Sequence, residues 1–403
     1  MIPDVKQVTG TGPVLRILHL HLEVGQQSEA NQFLYPSRHK VDVATYFPCR
    51  IEFPDRIRLF DGDGTFGGFK RALRAAEEAG PYDIVHAHGP IDGMLYWWFC
   101  HLRGRRLGRT LYGAHHSFTN SNFKRRNRIL SYGTFALFER VVCVSAASLA
   151  SFPPRFHRLA RGRLSVVCNG VDLTRLDETV APMEKTQEQG GFHVASVGRL
   201  IEIKNPLAIL RAFAGVDDPS ARLTFAGNGA LEDELRTGAA NDARVTVAGE
   251  LAREDVFRLL YGTADLYVSA SRGEGMPMAP LEAMASGCPV ILSDIEPHRE
   301  IAEGSDFIPL FAPDDVEALT REIDRYRRMA PELRREIGEK CRTVVEARFS
   351  LQGMHEGYDR VYYDLCGLET SDTVVDSPRR RPGGPGPHRK PGRSSRSSSV
   401  SVP

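Results

Sequence analysis

Residues Ser271 to Glu282 read SRGEGMPMAPLE, and they set two carboxylates, Glu274 and Glu282, around a glycine-containing turn. Before the turn, Ala264 to Ser271 (ADLYVSAS) is an apolar, partly β-branched run of strand length. After it, Pro280 suits a first helical position. Gly287 stands where a helix commonly ends, just before a second apolar run from Cys288 to Leu292. Strand, loop, helix and strand in this order predict a parallel crossover, with the loop at the carboxyl end of a strand, where open α/β sheets bind ligands. A helix start at that point offers unpaired N–H groups and positive dipole character. Both favour phosphate.

The same alternation runs outward in both directions. In the first half, Leu15 to His21, Val41 to Tyr46, Ile84 to His88, Thr110 to Ala114, Val141 to Ser145 and Leu164 to Cys168 read as short strands separated by helix-like segments. Residues 177 to 191 (DETVAPMEKTQEQGG) are polar and aperiodic, as a linker would be. The pattern then restarts with His193 to Val197, Arg222 to Ala226, Arg244 to Val247, Leu266 to Ser269 and Val290 to Leu292. Two doubly wound α/β domains in tandem follow, residues 1–180 and 190–345. A chain of 403 residues exceeds what one hydrophobic core usually supports, which agrees with two domains. Leu319 to Leu365 reads as one long amphipathic stretch whose aromatic end (GYDRVYYDL) needs a partner surface.

Composition narrows the class. The apolar fraction of 41% suffices for globular cores, and the net charge is +1. Residues 371–403 hold seven Lys/Arg against two Asp and are rich in Pro, Gly and Ser, so they are expected to be a disordered basic tail. A solvated tail is the main reading, and a weak anchor for anionic lipid or nucleic acid the sharper one. Seven cysteines without a CxxC pair argue for reduced thiols in the cytoplasm and against a disulfide framework. The first residues carry no leader-like pattern, and no apolar run reaches membrane-spanning length.

Several constellations carry chemistry. Gly198-Arg199-Leu200, with Lys204 and Asn205-Pro206, follows the strand His193 to Val197, so two cations flank a strand-end loop where Asn205 suits a helix cap. Two cations beside a helix start suit a diphosphate, each charge-assisted contact being worth roughly 1.5–3 kcal/mol. Two solvated surface charges are the plain alternative. Gly62, Gly64 and Gly67 match G-x-G-x-x-G, but the strand Ile84 to His88 ends in His-Ala-His without the acidic residue a dinucleotide site needs. Asp61 and Asp63 fail Ca²⁺-loop spacing, so a polar turn is expected there. His86 and His88, then His115 and His116, end two strands; further zinc ligands at sensible spacing are not evident, and no metal site is expected. His86 is read as satisfying a backbone carbonyl.

These residues resemble the family-4 retaining glycosyltransferases of the GT-B fold, which share an E-x7-E signature. Glu274 and Glu282 reproduce it, followed by Ala283-Met284-Ala285 and Gly287-x-Pro289-Val290. GRLxxxKNP at Gly198 to Pro206 is similar to the family's diphosphate-binding segment, AGNGALEDEL at Ala226 to Leu235 to its glycine turn, and VCNGVD at Val167 to Asp172 to the element before the linker. DIVHAHG at Asp83 to Gly89 and LYGAHHSF at Leu111 to Phe118 are similar to two strands of the acceptor-side domain. The resemblance implies two Rossmann-like domains facing across a cleft, with a C-terminal helix, about residues 346–370, crossing back to complete the first.

The resemblance also implies roles. Arg199 and Lys204 would neutralise the leaving diphosphate of a nucleotide sugar without a metal or other cofactor, and Glu274 would contact the sugar. Glu282 would bind ribose hydroxyls, the backbone from Gly275 through Met276 to Met278 would cradle phosphate beside Gly198 and Gly227, and His115 would stand beside the donor sugar. Family members often carry a double glycine after the first strand, where this chain has only Gly25 in VGQQSE. The activity implied is retaining transfer of a sugar to a hydroxyl acceptor, by a front-face route in which a diphosphate oxygen takes the acceptor's proton. A nucleotide-sugar hydrolase or epimerase, and a silent nucleotide-sugar-binding subunit, are the alternatives. Arg103, Arg105, Arg106, Arg109, Lys124, Arg125, Arg126 and Arg128 cluster with Tyr96-Trp97-Trp98-Phe99. They form a solvated basic face or a peripheral contact with anionic membrane at its cytoplasmic side. No nucleic-acid partner is expected.

Overall fold

A computed structural model describes residues 12–24, 34, 37–49, 51–118, 125–183 and 191–368. Two parallel sheets dominate. The first has seven strands: β1 (Arg16–His21), β2 (Lys40–Thr45), β3 (Arg58–Asp61), β4 (Ile84–Ala87), β5 (Arg109–Ala114), β6 (Arg140–Cys143) and β7 (Leu164–Val166). Their order is β3-β2-β1-β4-β5-β6-β7. The second has six: β8 (His193–Val197), β9 (Arg222–Ala226), β10 (Val245–Gly249), β11 (Leu266–Ser269), β12 (Val290–Ser293) and β13 (Leu310–Phe311), in the order β10-β9-β8-β11-β12-β13. Each sheet reverses direction next to its first strand. That reversal opens a crevice at the strand ends, between the loops after β1 and β4 in one sheet and after β8 and β11 in the other.

The central strands are buried on both faces, as near-continuous apolar runs require in a parallel sheet. β3 and β13 are the strands the periodicity does not announce. Both lie at sheet edges, where RLFD and a two-residue pairing carry too little apolar signal.

The C-terminal stretch departs from the single element expected. It forms three helices, Val316–Arg328, Pro331–Arg348 and Leu351–Cys366. Pro331 starts the second helix at a position that needs no N–H donor, and Ser350 caps the third through its side chain. The third helix crosses to the first sheet. Its Leu351, Met354, Tyr358, Val361 and Tyr362 pack with Ile17, Ile84, Leu111 and Val142. Burying each such side chain contributes about 1.5–3 kcal/mol before entropy is counted. The expected linker also begins later, because Leu173–Val180 is helical with Asp172 as its cap.

Pro280 is the third residue of the helix Met278–Ala285, which begins after Pro277. A proline fits there because the first helical N–H groups have no intrahelical partner. Gly287 does follow the helix end, at φ 69°. Asn205 precedes the helix at Pro206 but does not cap it through its side chain; its backbone is left-handed and its amide donates to the Pro313 carbonyl at 2.9 Å. The Gly62–Gly67 segment is a polar turn. Asp63 accepts from the Thr65 amide at 2.9 Å and from Arg71, and Thr65 caps the helix Phe66–Ala79.

Candidate functional site

The loops after β8 and β11 meet at the reversal point of the second sheet. Arg272 donates its amide to the Ile203 carbonyl at 2.8 Å, tying the two loops together. Lys204 Nζ then lies 2.5 Å from Glu274 Oε1, and Ser271 Oγ donates to the same oxygen at 2.7 Å. Glu274 is only 8% exposed. Burial alone would raise its pKa, but the Lys204 charge and its hydrogen bond, with Ser271, hold it below the ordinary value. Gly198, Arg199, Lys204, Ser271 and Glu274 thus line one narrow hollow, floored by Tyr267.

Close backbone packing shapes that hollow. Gly198 and Gly227 have φ of 147° and 143°, and a Cβ on Gly227 would come within 1.9 Å of the Gly198 carbonyl oxygen. Leu200 donates to the Asn228 carbonyl at 2.7 Å, so the turns after β8 and β9 are locked to one another. Glycine is required at Gly227 on both counts.

Glu282 lies within the helix Met278–Ala285, with Arg253 at 3.7 Å. Burial raises its pKa, with Arg253 and Arg175 opposing. Glu282 therefore sits apart from the Lys204–Glu274 pair, although both carboxylates act electrostatically on the buried Tyr267. Met276 is buried in the core of the second sheet, and Met278 is partly buried against it. Gly25 and Lys124 lie outside the described residues.

A second hollow, about 340 Å³, opens in the first sheet at its own reversal point, lined by His21, His88, Asp92, His115, His116 and Asn127 among others. His115 Nε2 lies 2.9 Å from His88 Nδ1, so its ring turns toward the first sheet. Its neighbour His116 senses the other lobe: burial lowers its pKa, Arg199 lowers it further, and Glu274 opposes. The two lobes are linked where Ser145 Oγ donates to the Gly275 carbonyl at 2.8 Å.

The histidines show what sequence reasoning missed. His86 Nδ1 lies 2.9 Å from the Tyr362 hydroxyl of the third C-terminal helix, a partner that spacing does not announce. Residue spacing also hides a second proximity: β1 runs beside β4 with His19 opposite His86, and ring nitrogens of His19, His21 and His88 lie within 4.8 Å of one another. The LHLH pattern of β1 was the available signal, hidden because its partner strand is more than sixty residues away.

Two parallel α/β sheets, each with a hollow at its reversal point and an acid–cation pair in the second, define a two-lobed transferase of the GT-B class. The chain belongs to the family-4, group 1 glycosyltransferases: residues 34–175 match the profile described as Glycosyltransferase Family 4, and residues 191–328 that of Glycosyl transferases group 1. It is 28% identical over 349 residues to the Bacillus subtilis protein EpsD, which carries a glycosyltransferase name, across 82% of this chain and 88% of the relative. An Escherichia coli UDP-Gal:alpha-D-GlcNAc-diphosphoundecaprenol alpha-1,3-galactosyltransferase is 28% identical over 53% of this chain and 58% of its own length. In fold it is similar to sucrose-phosphate synthase of Thermosynechococcus elongatus (TM-score 0.71, 19% identity, 88% of this chain and 99% of that one). It is also similar to Anabaena HepE, solved with UDP and glucose (TM-score 0.69, 17% identity, 87% and 100%). The protein is a glycosyltransferase.

Proposed function

We propose that this enzyme moves a sugar from a nucleoside-diphosphate sugar to a hydroxyl acceptor with retention of anomeric configuration, the diphosphate charge being neutralised by protein cations and not by a metal. The observation that carries the reading is the Lys204–Glu274 contact at 2.5 Å beside Arg199, at the strand ends where the helix Met278–Ala285 begins. In this reading a diphosphate draws Lys204 and Arg199 onto its oxygens, and Glu274, released from Lys204, accepts from sugar hydroxyls. Glu282 receives the ribose hydroxyls. The Gly275–Met278 backbone adds N–H groups and the positive helix end for the phosphate. Among the described residues no second carboxylate lines the hollow, which favours a front-face route in which the acceptor oxygen attacks the anomeric carbon as the C–O bond to diphosphate breaks, and a diphosphate oxygen takes the proton. His115 and the first-lobe hollow would meet the acceptor.

The relatives support a diphosphate-linked donor, since HepE was solved with UDP and the E. coli relative is named for a UDP sugar. The test is a thermal-shift screen of UDP, GDP and ADP and their sugar conjugates, followed by product analysis with and without acceptor. Stabilisation by one nucleotide series and product only with acceptor support transfer. Free sugar or an isomer formed without acceptor would replace it by hydrolysis or epimerisation, and no response to any activated sugar would remove it.

We infer a peripheral membrane contact as part of the same reading. Trp98, Leu102 and Ile129 are 58%, 56% and 61% exposed on the helix Pro90–Phe99, the turn after it and the helix Arg125–Leu137, which pack together. Arg103, Arg106, Arg125 and Arg126 accompany them, whereas Arg105 and Arg109 pair with Glu77 and Glu139. No helix among the described residues is long and apolar enough to cross a membrane.

A further inference from the structure

The first lobe gathers histidines at its reversal point. His19 and His21 project from one face of β1, and His86 and His88 continue the adjacent β4 in register, His19 opposite His86. His115 follows β5 and reaches the same patch. Gly113 leaves the room: a Cβ there would come within 3.0 Å of both His115 Nε2 and His86 Nε2. Such polar rings are costly in a core unless their nitrogens are satisfied. Ring-to-ring contacts satisfy part of the set, with His19 Nδ1 2.8 Å from His88 Nε2 and His88 Nδ1 2.9 Å from His115 Nε2. The His21 ring stacks on His88 with centroids 4.1 Å apart, but its buried Nε2 has no hydrogen-bond partner among the described residues.

One ligand nitrogen from each of His19, His21 and His88 lies within 4.8 Å of the others. A tetrahedral zinc ion with bonds of about 2.0–2.1 Å holds its ligands roughly 3.3 Å apart, so binding would part the His19–His88 pair, now at 2.8 Å, draw in the widest pair and tilt the His21 ring off the His88 ring it stacks on at 4.1 Å. Imidazole-only ligands suit zinc, copper or nickel and exclude calcium and magnesium, which demand oxygen. His88 also has the support that metal-bound imidazoles carry, because its other ring nitrogen is held by His115. The fourth direction is open, since His21 and His88 line the first-lobe hollow together with Asp92, His115 and His116.

We propose that His19, His21 and His88 bind one divalent transition-metal ion of the zinc type, with a coordination position open to the first-lobe hollow. The site lies in the opposite lobe from the diphosphate hollow, and its occupancy can be read without any donor or acceptor.

The full chain, prepared without a polyhistidine tag, is incubated with Zn²⁺, passed over a chelating resin and assayed for metal by mass spectrometry. The expected result is about one zinc per chain, falling to about a tenth or less in His21→Asn and His88→Gln and unchanged in His157→Gln. Cobalt-loaded wild-type protein should show the visible d–d bands of low-coordinate Co²⁺. Wild-type zinc no higher than that of His21→Asn overturns the proposal in favour of a metal-free chain of imidazoles, and a stoichiometric ion kept by His21→Asn overturns it in favour of a metal held elsewhere. Should either variant fail to fold by circular dichroism, the wild-type cobalt spectrum decides alone: no bands, no site.

Discussion

Gly275, in the loop that carries Glu274, packs so closely on the first lobe that a Cβ there would sit 2.5 Å from the backbone carbonyl oxygen of His115. The two lobes therefore touch backbone to backbone beside the Ser145–Gly275 hydrogen bond. Gly275→Ala must push them apart by a fraction of an ångström or more. Misplacements of that size cost up to about 100-fold in catalysis, and we expect kcat/KM to fall by about 10- to 100-fold with both sheets intact. Steady-state kinetics beside far-ultraviolet circular dichroism checks it, and unchanged kcat/KM would mean the contact is passive.

Lys204→Ala removes a cation from the second-lobe hollow and leaves Glu274 buried without its ion-pair partner. Loss of one such charge-stabilising donor elsewhere costs about 2.7–4 kcal/mol of transition-state stabilisation, so turnover should drop about 100-fold or more in a protein that still folds. Near-normal turnover with any accepted donor would remove Lys204 from the machinery.

Gly227→Ala meets two obstacles, a φ of 143° and a carbonyl oxygen 1.9 Å away. Strained backbone of this kind costs of order 1–3 kcal/mol, and relief requires the Gly198–Lys204 loop to move. Calorimetry should show a lower Tm together with weakened nucleoside-diphosphate binding. A variant that loses stability but binds normally would separate the turn from the ligand.

His298 sets a pH response. It is wholly buried, its Nδ1 lies 2.9 Å from the Ser293 carbonyl, and burial lowers its pKa from 6.5 to about 4 despite the nearby Glu274 charge. A depressed folded-state pKa contributes stability that is complete above the unfolded value of 6.5 and is lost as pH falls through about 4. The full effect is about 3.5 kcal/mol, at about 1.4 kcal/mol per pKa unit. Urea titrations from pH 7 to 4 should be measurably flatter for His298→Gln; parallel curves would show that the ring takes no part.

Vesicle binding tests the basic face. Each basic residue near an anionic surface adds roughly 1 kcal/mol, about fivefold in affinity. Arg125→Ala with Arg126→Ala should therefore cut co-sedimentation with anionic liposomes by more than tenfold at low salt, and Trp98→Ala should cut it further. Wild-type protein that ignores such vesicles ends the membrane reading.

The sequence alone determined the kind of scaffold and where its strand-end loops fall. Apolar strands alternating with helical segments, GRL and AGNG at strand ends, and the spacing of Glu274 and Glu282 are local patterns, and local chain geometry reports them faithfully. Tertiary structure decided which residues meet. Lys204 and Glu274 lie seventy positions apart, and His19 faces His86 only because β1 pairs with β4, a neighbour chosen by crossover connections and not by any short-range signal. The edge strands β3 and β13 and the breaks near Pro331 and Ser350 escaped for a related reason: short or proline-interrupted segments carry little periodicity, and long-range packing sets their limits.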